Sequence, residues 1–79
     1  GSNTIELHVE LYAREHLKSL IDYIRAQGGK INLVDYNSSY ANSGLSVYTI
    51  NMVSWGKNPS LIIKDILNLD YVNFVEILL

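Results

Sequence analysis

Apolar and polar positions alternate strictly at the start of the chain: Ile5, Leu7, Val9 and Leu11 on one side, Glu6, His8 and Glu10 on the other. Period two marks a strand with one buried face. The period then lengthens. Leu17, Leu20, Ile21 and Ile24 recur at i, i+3, i+4 and i+7, the stripe of an amphipathic helix, with Ile21 mid-stripe and expected to be fully buried. Its polar face carries Glu15, Lys18, Asp22 and Arg25, where Lys18 and Asp22 pair one turn apart. No Ser, Thr, Asp or Asn immediately precedes Arg14, so this helix starts without a strong cap. Gly28-Gly29 ends it, because glycine takes positive φ without a steric penalty.

A second strand starts near Lys30 with Ile31, Leu33, Val34 and Tyr36. Strict alternation from Ile31 and Leu33 would bury Asp35, so a bulge is expected at Val34-Asp35. Asn42-Ser43-Gly44 supplies turn chemistry, and the chain returns from Leu45 to Trp55. In that strand Tyr48, Ile50 and Met52 are expected to face the helices, and Val47, Thr49, Asn51 and Val53 the other way. Asn58 and Pro59 open a second helix as N-cap and first helical residue. Ile62, Ile63, Ile66 and Leu69 form its apolar side. Asp70-Tyr71 turns into a last strand, Val72 to Leu78.

This order predicts an α+β domain, a ferredoxin-like βαββαβ sandwich: four antiparallel strands in order 4-1-3-2 with two helices on one face. The other face has no helix of its own. It is expected to show Val47, Val53 and Tyr36, with Val34 and Phe74, beside Glu6, His8 and Glu10. Apolar side chains on such a face mark a candidate partner surface.

Length and charge narrow the function. A chain of 79 residues allows one domain, here residues 4–79. Gly1-Ser2-Asn3, without a Met, reads as a tag remnant. Six Lys+Arg against eight Asp+Glu give −2, and the basic residues are scattered, which argues against nucleic-acid binding. With no cysteine there is no disulfide and no thiolate chemistry. No run approaches the roughly 20 apolar residues of a membrane span.

Candidate chemistry is sparse, and no catalytic residue, cofactor or metal is expected. Glu6, His8 and Glu10 form a comb on one strand face, but neighbours there stand about 7 Å apart, wide for a metal shell. His16 has no Ser or Thr motif to serve as a general base. Gly28-Gly29 follows a helix rather than opening one, the reverse of a phosphate loop. Acylphosphatase shares the topology and uses a glycine-rich loop with an Arg after the first strand; Tyr12-Ala13-Arg14-Glu15-His16 has the Arg without the glycine. RNA-recognition motifs need stacking aromatics with basic and glycine residues on the central strands, and Leu45 to Val53 lacks that set.

Two stretches resemble an ACT-type domain: Leu17-x-x-Leu20-Ile21-x-x-Ile24-x-x-x-Gly28-Gly29-x-Ile31, and Leu69-Asp70-Tyr71-Val72-Asn73-Phe74-Val75-Glu76-Ile77. Within that class, the polar hairpin Asn37 to Gly44, the segment lengths and the closing strand are similar to the C-terminal domain of MgtC/SapB-family bacterial membrane proteins. The resemblance implies a parent with transmembrane helices upstream and this domain on the cytoplasmic face of the bacterial inner membrane. It further implies a non-catalytic regulatory or protein-interaction role linked to magnesium limitation and virulence. The partner would be a second copy or the remainder of the parent, with membrane contact only through the parent chain. The alternative is an ACT domain sensing a small ligand, an amino acid or Mg²⁺. Amino-acid-binding ACT domains resemble Asp-x-Pro-Gly-x-Leu after the first strand, and of that pattern only Leu17 matches here. No ligand residue is therefore carried over.

Overall fold

The computed structural model describes residues 4–53 and 56–78. The expected tag remnant at residues 1–3 and the expected strand end at Trp55 lie outside the described residues. The elements are β1 (Thr4–Leu11), a 3-10 turn (Arg14–His16), α1 (Leu17–Ala26), β2 (Lys30–Tyr36), a second 3-10 turn (Ser38–Tyr40), β3 (Ser46–Val53), α2 (Pro59–Leu67) and β4 (Val72–Ile77). They form an α+β architecture, an open antiparallel sheet in the order β2-β3-β1-β4 with two helices, consistent with a ferredoxin-like fold.

Helix boundaries follow local chemistry. α1 begins through the 3-10 turn, and Ala13 before that turn offers no side-chain hydrogen bond. At the other end Gly28 has φ 94°, the Gly29 N–H donates to the Ile24 carbonyl (2.9 Å), and the Gly28 N–H donates to that of Arg25 (3.0 Å). That pair of bonds satisfies carbonyls the helix leaves open. At α2 the Asn58 side chain accepts from the Ser60 N–H at 2.8 Å, with Pro59 opening the helix.

The register sets the two sheet faces. Val9 lies opposite Tyr48 and Val75, Leu7 opposite Ile50 and Ile77, and Ile5 opposite Met52. This core face joins Leu20 and Ile24 of α1 and Ile62 and Ile66 of α2 in one buried cluster. On the opposite face lie Glu6, His8 and Glu10 with Asn51, Thr49 and Val47 across from them.

Two expectations are corrected. Ile21 is half-buried, while Leu20 and Ile24 are fully enclosed. The helix is rolled so that the Leu20–Ile24 line points down and Tyr23, also packed on the core, fills the far flank; at 3.6 residues per turn Ile21 then stands on the near flank. The bulge in β2 sits at Asn32, which the register skips between Ile31 and Leu33, and not at Val34-Asp35. It does keep Asp35 off the core, opposite Thr49, but it also turns Leu33 to the opposite face and Val34 and Tyr36 to the core face.

Candidate functional site

The sheet face opposite the core cluster gathers most of the side chains singled out from sequence. Glu6, His8, Glu10, Val47 and Val53 all lie on it by register. Tyr36 does not: it pairs with Tyr48, and the two rings meet edge to face at 5.6 Å on the core side. The Asn32 bulge is the reason. Phe74, expected on the opposite face, is there beside Glu10 and is 41% exposed.

Val47 needs a second correction. It is on the expected face but completely buried, and it is not part of the main core cluster. The β2–β3 connection folds back over this end of the face. The Asn37 N–H donates to the Val47 carbonyl at 2.8 Å, and the Tyr40 ring packs on His8 at 5.6 Å. Local bonds hold the connection in shape: Asn37 Oδ1 accepts from the Ser39 N–H (3.2 Å), and the Ser43 hydroxyl donates to the Tyr40 carbonyl (2.7 Å). Val47 is therefore roofed by its own chain and is not available to a partner.

His8 is the centre of the polar arrangement. It is buried between Tyr40 and Phe74, whose ring lies 6.3 Å away. Its Nε2 meets Glu10 Oε2 at 2.9 Å, and Asn73 Nδ2 donates to Glu10 Oε1, also at 2.9 Å. The His8 hydrogen bond holds the Glu10 carboxyl below its ordinary value; partial burial pushes the other way, and the Asn73 bond adds to the lowering. An ionised carboxylate only accepts, so in this contact Nε2 carries the hydrogen. Glu6 takes a separate route: Asn51 Nδ2 donates to Glu6 Oε1 at 3.4 Å, and Asn32 Nδ2 donates to Asn51 Oδ1 at 3.0 Å.

The Glu6-His8-Glu10 comb is thus split between two hydrogen-bond chains, and among the described residues no group of three His, Cys, Asp or Glu converges as metal ligands. His16 lies elsewhere, stacked on Tyr71 at 5.3 Å, where burial raises the Tyr71 phenol above its ordinary value. Arg14 is on the core side, at the mouth of a cavity.

Sequence reasoning placed Asn51 on this face but missed Asn32, Asn73 and Tyr40. Asn32 and Asn73 each occupy a bulge, skipped by the register of β2 and of β4, and each sends its amide into the opposite face. The available signal was compositional: asparagine is depleted in strands, so one in each of three strands has a reason to be there. Among the described residues no helix is long and apolar enough to cross a membrane. No family model, curated protein or solved structure matches this chain.

Proposed function

We propose that this chain is a non-catalytic regulatory or interaction domain of ACT-like build. It belongs to a bacterial inner-membrane protein of the MgtC/SapB type and works on the cytoplasmic side under magnesium limitation. Its partner is a basic polypeptide segment of the parent protein, docked on the sheet face opposite the core. The element order and the hydrophobic spacings around α1 and β4 support the family reading.

One observation carries the docking. Phe74 and Leu33 (41% and 55% exposed) share a face with the carboxylates Glu6, Glu10, Asp35 and Glu76, with Lys30 at one end. Exposed apolar anchors ringed by one sign of charge select an oppositely charged, partly apolar partner. Two copies face to face would bring these carboxylates together, which disfavours self-association here. Short cytoplasmic loops of membrane proteins carry an excess of Lys and Arg, the complement of this face. Glu10, held by His8 and Asn73, presents a charge already fixed in place.

The test is capture by the detergent-solubilised parent lacking this domain, using wild type, Phe74→Lys and Glu76→Lys. Both variants should keep the wild-type circular dichroism spectrum and lose capture by about tenfold or more, the scale of one interface anchor. Folded variants that bind as wild type would refute the docking face. A parent gene without upstream apolar segments of about 20 residues would refute the membrane assignment.

A further inference from the structure

On the core side, at the end of the sheet where β1 leaves for α1, a cavity of about 280 Å³ is lined by Arg14, Tyr36, Ser46 and Tyr48. It lies across the sheet from the docking face, so nothing about it depends on that reading. Its volume is just below the usual range of ligand pockets, about 300–1,000 Å³. A single ring with one charged group is the scale of guest it admits.

The lining has a chemical direction. Arg14 is a permanent cation, and no described residue pairs with its guanidinium. Among the described residues no carboxylate lines the cavity. Tyr48 is 7% exposed, and its hydroxyl makes no hydrogen bond to any described residue. A tyrosine hydroxyl that no described group holds can donate to a guest in the cavity its side chain lines. Ser46 adds a half-buried hydroxyl, also without a hydrogen bond to any described residue. The Tyr36 ring, 56% exposed and edge to face on Tyr48, supplies an aromatic wall.

We propose that this cavity binds a small organic anion, a carboxylate or phosphoryl group carried on a compact planar body. The Arg14 fork takes the anion in the paired geometry guanidinium favours, and the Tyr48 and Ser46 hydroxyls donate to its oxygens. The planar body lies against Tyr36. An unpaired cation with two unpaired hydroxyls, in a lining free of acids, suits an anion and nothing cationic.

Amide-resolved NMR titration of the 79-residue chain tests this with three probes of one size: benzoate, phenyl phosphate and neutral benzamide. At least one anion should give saturable shifts centred on Arg14, Tyr36, Ser46 and Tyr48, and benzamide should bind about tenfold more weakly or not at all. Which anion binds more tightly assigns carboxylate or phosphoryl chemistry. Arg14→Gln, at an exposed position, should abolish binding. Tyr48→Phe keeps the ring and should weaken binding about fivefold, the value of one hydrogen bond. Because that hydroxyl makes no hydrogen bond to any described residue, Tyr48→Phe should not lower the thermal midpoint of the unliganded protein. No saturable shift with either anion, equal binding of benzamide, or affinity indifferent to either substitution would overturn the proposal.

Discussion

Val47 lies on the face opposite the core cluster and is nonetheless completely enclosed, so shortening it to alanine reports on what encloses it. Two methyl equivalents leave a buried site, at about 0.8 kcal/mol each, and an unrelaxed cavity adds about 24 cal/mol for each Å³. The expected loss is about 1.5–3 kcal/mol. Val53 shares the strand and the face but is half-buried, so Val53→Ala should cost less than about 1 kcal/mol. At roughly 0.05–0.15 kcal/mol per residue the 79-residue chain holds about 4–12 kcal/mol in total, so the difference is readily measured. Urea unfolding followed by circular dichroism is the assay, with a lower midpoint at unchanged slope as the signature. A cycle with Tyr40→Ala locates the roof. If the β2–β3 connection seals Val47 through Tyr40 on His8, the two losses should fall short of additive by about 0.5 kcal/mol or more. Val47→Ala no costlier than Val53→Ala, or strict additivity with Tyr40→Ala, would refute a roof built by that connection.

The roll of α1 predicts that Ile24→Ala costs about 2–5 kcal/mol in the same assay and Ile21→Ala under about 1.5; equal losses would put Ile21 in the core after all. Glu10 has its folded pKa depressed, chiefly by the His8 hydrogen bond. The stability it contributes is therefore fully present above the unfolded carboxyl value of 4.5 and is lost as pH falls through the lower folded value. Urea midpoints measured from about pH 6 down to about pH 2.5 should fall less steeply in Glu10→Gln than in wild type, and parallel curves would refute the linkage.

The legible parts of the fold are those written in short-range chemistry. Asn58-Pro59 announces α2 because a cap and a fixed φ act within three residues. The alternation of β3 yields its face assignment because Tyr48, Ile50 and Met52 are unambiguous against Thr49 and Asn51. β2 was harder. Ile31, Leu33, Val34 and Tyr36 fit either phase of a period-two pattern, and nothing local says that Asn32 drops out of the ladder. That choice moved Tyr36 and Val34 from the expected partner face to the core face. The burial of Val47 is illegible for another reason: the segment Asn37 to Gly44 reads as a polar turn, and Tyr40 inside it finds its partner only once β1 has placed His8 beneath it. The Asn73–Glu10 bond joins residues 63 apart in the chain, beyond any window of local pattern.

The two bulges also bear on how the molecule avoids sticking to itself. β2 and β4 are the outer strands, and each carries one of the bulged asparagines. β4 in particular reads Val-Asn-Phe-Val-Glu-Ile, rich in the residue types that template further strands. A bulge bends its strand and sharpens the local twist, so neither rim offers a flat, uninterrupted row of donors and acceptors. Growth of the sheet by adding strands sideways, the route to ribbons and fibrils, is thereby hindered at both borders. The asparagines that send their amides into one face thus also keep the sheet finite.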